Sequence, residues 1–223
     1  MNFQKNGLNR GALFQRMPYM VMVFALLCFA ILNSPTVFAQ TPKVLIVGDS
    51  LSAEYGLARG TGWVKLLEDR IKKEKLSWQV VNASISGETT AGGQTRLPLL
   101  LKTHQPKVVV IELGANDALR GLQLSTTEQN LRKMIQASKQ SGGKVLLLGM
   151  RIPPNYGQDY TNRFFAIFGK LANTEDVALL PFFLERVATR MDLFQADLIH
   201  PNEKAQAILL DSVWPKLEPL LRQ

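Results

Sequence analysis

The run Lys107-Val108-Val109-Val110-Ile111-Glu112 constrains the fold of this 223-residue chain more than any other feature. Four consecutive β-branched residues leave no polar face, so the segment reads as a strand covered on both sides. Similar runs recur at Lys43-Val44-Leu45-Ile46-Val47-Gly48, Gln79-Val80-Val81-Asn82, Lys144-Val145-Leu146-Leu147-Leu148-Gly149 and Val177-Ala178-Leu179-Leu180. Segments of helical period lie between them. Trp63, Leu66, Leu67, Arg70 and Ile71 form one mostly apolar face. Thr95 to Lys102 reads as helical turns interrupted by Pro98, and Ser125-Thr126-Thr127-Glu128 as a capping box opening a helix through Lys139. A further helix spans about Asn162 to Asn173, and the last starts after Pro201-Asn202 and kinks or ends near Trp214-Pro215. Such alternation implies right-handed crossovers and an α/β chain whose parallel sheet has helices on both faces. Ligands of such sheets bind outside the carboxyl ends of the strands. A residue just after a strand can therefore reach the site, and one just before a strand cannot.

The first 39 residues read differently. Lys5, Arg10 and Arg16 precede an uncharged stretch from Met17 to Pro42, whose most apolar part runs from Met20 to Leu32. Asn33-Ser34-Pro35 breaks it, and Val37-Phe38-Ala39 supplies small residues at the −3 and −1 positions, the order of a cleaved secretory signal peptide. The expectation is cleavage after Ala39 and one domain over residues 40–223, periplasmic or secreted in a bacterium. An uncleaved anchor is the alternative, because Met17 to Pro42 is long enough to tilt across a bilayer. Cleavage removes three basic residues and no acidic ones, leaving 23 against 18 and a net charge of +5 instead of +8. No Lys/Arg run exceeds Lys72-Lys73, so nucleic acid is not an expected partner, whereas transient contact with an anionic membrane surface is compatible. The chain carries one Cys, at position 28, and two His, which excludes an intrachain disulfide and argues against a Cys/His metal site.

Three strand ends carry chemistry. Gly48-Asp49-Ser50-Leu51-Ser52 follows the first strand and places the Ser50 hydroxyl at the carboxyl edge; Ser84-Ile85-Ser86-Gly87 follows the second; Gly114-Ala115-Asn116-Asp117 follows the third. One hydroxyl, a bare glycine N–H and a side-chain amide make up the parts of a nucleophile with an oxyanion hole. A serine needs a base near neutrality, and histidine is the usual one. His104 precedes the third strand and falls on the wrong edge, whereas His200 follows the last strand. Asp197, three residues before His200, can fold back to hold the imidazole tautomer; Asp192 is a less constrained alternative. Asp49 and Asp117 read as turn-bonding residues. Leu119 and Leu122, with Ile152 and Pro153 after the fourth strand, are candidates to line an acyl groove, with core packing an equal alternative. No G-x-S-x-G, G-x-x-x-x-G-K-[ST] or G-x-G-x-x-G pattern occurs, so no cofactor is expected.

These blocks, in this order across Val44 to Pro201, resemble the GDSL-type, or SGNH, hydrolases. The resemblance implies a three-layer α/β/α flavodoxin-like sandwich with a five-stranded parallel sheet. It implies Ser50 as nucleophile, Asp197 and His200 as its partners, and the Ser50 N–H, Gly87 and Asn116 as oxyanion donors. It also implies an enzyme acting on small acyl esters and thioesters, lysophospholipid, acyl-CoA-like and aryl esters among them; a monomer is the expected state. An acetylesterase of exported polysaccharide and a non-catalytic acyl-binding protein are the competing readings, with a peptidase a third. Glu54 and Ala115 depart from the pattern, standing where glycines are expected.

Overall fold

The computed structural model describes residues 1–2 and 40–222. The expected signal segment and its cleavage point lie outside the described residues apart from its first two. Every strand and helix below belongs to the unit Thr41–Gln223.

Five strands form one all-parallel sheet: β1 (Lys43–Gly48), β2 (Gln79–Asn82), β3 (Val108–Glu112), β4 (Lys144–Leu148) and β5 (Ala178–Leu180), in the order β2-β1-β3-β4-β5. Burial dictates the centre. Val44 to Val47 and Val108 to Ile111 are fully buried, so β1 and β3 lie side by side, with Val44 paired to Val108 and Gly48 to Glu112. The edge strands β2 and β5 are only partly buried, Leu180 excepted, although β5 is wholly apolar.

Helices α1 (Trp63–Lys73) and α6 (Glu203–Leu221) pack on one another, while α2 (Thr90–His104), α4 (Leu124–Gln140) and α5 (Gln158–Glu175) pack in a row. A short α3 (Ala115–Leu119) follows β3. The α1 face is Trp63, Val64, Leu67 and Ile71, the spacing of one helical stripe. Trp63 meets Phe183 edge to face at 5.5 Å.

Three local expectations are corrected. The second helix spans Thr90–His104 and runs through Pro98 instead of being interrupted. The last does not end near Pro215 but continues through it and Pro219 to Leu221. All three prolines are exposed, while Leu97 and Leu101, or Val213, Trp214, Leu217 and Leu221, hold the buried face. The capping box at Ser125 does not form: the N-cap is Gln123, and the Glu128 carboxylate goes to Arg132 and Lys170.

The order 2-1-3-4-5 reverses direction between β1 and β3, and the crevice at such a switch point opens at the carboxyl edge. Ser50 and Asn116 follow those two strands.

Candidate active site

Ser50 begins a tight turn straight after β1, in which the Ser52 and Ala53 N–H groups bond back to the Asp49 carbonyl. Its hydroxyl oxygen lies 2.9 Å from Nε2 of His200, a residue 150 positions later. The far side of the imidazole meets Asp197, with Nδ1 and Oδ2 2.7 Å apart. Asp197 accepts the Nδ1–H, which leaves Nε2 free to accept the Ser50 hydroxyl.

The local chain explains how three residues suffice. Oδ1 of Asp197 accepts the backbone N–H groups of Ile199 (2.9 Å) and His200 (3.0 Å), folding the loop over its own carboxylate. Closing so tight a turn forces Leu198 to φ +57°, the left-handed region that a branched side chain rarely occupies. Desolvation raises the Asp197 pKa, but the His200 backbone and imidazole bonds and the Ile199 N–H outweigh it and hold the group at about 2. The loop is closed at its base where Gln195 N–H meets the His200 carbonyl at 2.8 Å and Phe194 bridges Pro201. Gln195 Nε2 also donates to the Tyr55 carbonyl, tying this loop to the one that carries Ser50. The Tyr55 ring lies 4.5 Å from the imidazole.

On the other side of Ser50, Asn116 Nδ2 donates one hydrogen to Asp49 Oδ2 at 3.0 Å. Gly87 closes the turn after β2 at φ +76°, which glycine takes without strain, and its carbonyl accepts from Arg120. A cavity of about 620 Å³ opens beside Ser50, Asn116 and His200, within the range of small-molecule sites. Leu119, Ile152 and Pro153 line it; Leu122 does not, lying exposed on the turn after α3. Gly87 is not among its lining residues.

His104 ends α2 on the opposite edge, as its position before β3 implies. Asp192 pairs with Arg190 and Asp117 accepts from Thr90, so neither faces the imidazole. Glu54 stands at φ +59°, which accounts for the glycine expected there, and its carboxylate instead caps the Gly60 and Gly62 N–H groups. Sequence reading missed Tyr55, Arg120 and the cavity wall formed by Met191, Phe194 and Leu198. Those residues sit on irregular loops, where no periodicity marks them.

Comparison with known proteins shows the family of this chain. The model of the GDSL-like Lipase/Acylhydrolase family matches residues 46–208. The chain belongs to this family. Esterase TesA of Pseudomonas aeruginosa is 51% identical over 183 residues, 82% of this chain and 91% of that protein. The Escherichia coli protein named thioesterase 1/protease 1/lysophospholipase L1 is 46% identical over 82% of this chain and 86% of its own length. The crystal structure of the psychrotrophic esterase EstA from Pseudoalteromonas, inhibited by monoethylphosphonate, superposes with a TM-score of 0.77 at 40% identity, covering 81% of this chain and 99% of that one. The chain is thus a GDSL-type carboxylic ester hydrolase with the five-stranded sheet of that family.

Proposed function

We propose that hydrolysis proceeds in two steps through an acyl-enzyme on Ser50. His200 takes the hydroxyl proton as Ser50 attacks an ester or thioester carbonyl, and Asp197 holds the imidazole in place. The Ser50 and Gly87 N–H groups and the second hydrogen of the Asn116 amide receive the oxyanion. His200 then protonates the alcohol, or assists thiolate loss, and activates water to release the acid. The observation that carries this reading is the unbroken chain Ser50–His200–Asp197, at 2.9 and 2.7 Å, beside a cavity. A phosphonate is a tetrahedral mimic of that intermediate, and its inhibition of EstA agrees.

The substrates we infer are long-acyl esters and thioesters: lysophospholipids, acyl-CoA-like thioesters and aryl esters. Leu119, Met150, Ile152, Phe182 and Phe194 make an apolar wall suited to an alkyl chain, more than an acetyl group needs. Delivery from a lipid surface fits the exposed apolar residues. Tyr55, Ile85, Leu122, Tyr156, Met191, Leu198 and Ile199 stand on the loops after all five strands, around the same edge as the site. We further infer export by the N-terminal leader, cleaved after Ala39, to the periplasm or medium, and action as a monomer, since one chain supplies every proposed group.

Ser50→Ala is expected to abolish hydrolysis of p-nitrophenyl esters and labelling by a fluorophosphonate; retained activity would remove the reading. An acyl-chain series on the same protein separates long-acyl preference from an acetylesterase, which would be fastest on acetate.

A further inference from the structure

β3 carries four buried apolar residues and then ends on a carboxyl, Glu112, at 0% exposure. Burial of an ionised carboxylate is costly unless a cation or several donors meet it. Its surroundings are specific. Oε2 accepts the Asp49 N–H at 3.3 Å and the Ser52 hydroxyl at 2.8 Å. Ser52 donates there, and its oxygen accepts the Trp63 indole N–H at 3.3 Å. Two donors therefore mark Oε2 as the carbonyl oxygen of the group. Oε1 is buried without a hydrogen-bond partner, and the carboxyl of Asp49, itself 1% exposed, lies near enough to act on the Glu112 charge. Asp49 in turn uses Oδ1 for the Leu51 N–H (3.1 Å) and Oδ2 for the Asn116 amide (3.0 Å). Gly48 leaves room for this arrangement, since a Cβ there would stand 2.7 Å from Oε2.

Two adjoining buried carboxyls cannot both ionise, and one shared proton turns their repulsion into a hydrogen bond. We propose that Glu112 is a positioning residue kept as the neutral acid, whose Oε1–H donates to Asp49 and so fixes the acceptor that aims the Asn116 amide. The orphaned oxygen then has a partner, and one negative charge instead of two lies beneath the forming oxyanion. Burial, and the Asp49 charge after it, push the Glu112 pKa well above the carboxylate range. Burial also raises Asp49 to about 6, opposed by its Leu51 bond and by His200 across the site. The charged or titratable groups acting on the pair are thus each other and His200. The inference rests on the assignment of Asn116 to the oxyanion hole.

Glu112→Gln supplies the test, because its amide reproduces the acid: an oxygen for Oε2 and an N–H toward Asp49. Infrared difference spectra of wild type against Glu112→Gln at pH 7–8 should show the carbonyl stretch of one protonated carboxyl, missing from the variant. On a soluble ester the variant should keep kcat within about threefold at unchanged KM and lose the alkaline fall caused by Glu112 deprotonation, whereas Glu112→Leu should drop kcat about tenfold or more. A wild-type spectrum without that band overturns the proposal. So does a folded Glu112→Gln variant, judged by near-ultraviolet circular dichroism, that has lost about hundredfold in kcat. The kcat of Asn116→Ala tests the oxyanion assignment separately; if it matches wild type while the infrared band is present, the assignment is at fault and not the proton.

Discussion

Two carboxyls serve this site in opposite electrostatic settings. Asp197 is half-exposed and surrounded by donors, so its folded pKa falls to about 2. Glu112 is sealed beside another acid, so its pKa rises. The signs for stability follow by linkage. A lowered acid contributes stability above its ordinary value, lost as pH falls from 3.8 toward 2; for Asp197, partial exposure keeps that contribution small. A raised acid does the reverse: the Glu112 proton favours the fold fully below its ordinary 4.5, and that advantage drains away as pH climbs toward the folded value. Thermal melts should therefore show the Tm of Glu112→Gln gaining on wild type as pH rises from 5 to 8; a pH-independent difference would contradict the neutral acid. At this scale the sequence was partly legible. An acid closing an apolar run is visible in Val108 to Glu112, but only burial and the Asp49 contact say which form it takes.

Among the elements, strands were the most legible because each is a short apolar run, and all five lie where those runs fall. Helix ends were less so, since Thr127 and Glu128 had competing partners across the fold: Thr127 is buried with its hydroxyl toward Asp117, and Glu128 faces Arg132 and Lys170. This distinction is measurable. Ser125→Ala should leave stability within about 0.5 kcal/mol, because an exposed residue inside the first turn caps nothing. Asn202→Ala should cost about 1–2 kcal/mol in denaturant unfolding. Its Oδ1 caps the Lys204 N–H at the start of α6, and its Nδ2 bonds the carbonyls of Asp192 and Phe194. Because that amide secures the loop holding His200, kcat should fall with it. The Asp197–His200 pairing itself was readable from a spacing of three, although the left-handed Leu198 that makes it possible was not.

The molecule gathers its chemistry and most of its exposed large apolar residues at one edge of the sheet, Leu99 on α2 being an exception among the described residues. If that edge meets lipid, the two functions separate by mutation. Ile85→Ser with Tyr156→Ser changes loop residues that do not line the cavity. The double variant should bind phospholipid vesicles more weakly and hydrolyse lysophospholipid above its micelle concentration more slowly. Turnover of soluble p-nitrophenyl acetate should be unchanged; equal losses on both substrates would refute surface docking. The family blocks made the fold, and the contacts of Ser50, His200 and Asp197, readable across the chain. The cavity wall was not, because the segment between β5 and α6 takes its shape from long-range ties such as Gln195 to Tyr55.

Ser50 and the imidazole it contacts are separated by 150 positions of chain, with β2, β3, β4 and β5 all lying between them. On the proposed mechanism, a nascent polypeptide holds the alcohol without its base and is inert toward esters. On the same mechanism, hydrolytic competence appears only once the final loop has closed over the first, which makes the chemistry a timer set by completion of the fold.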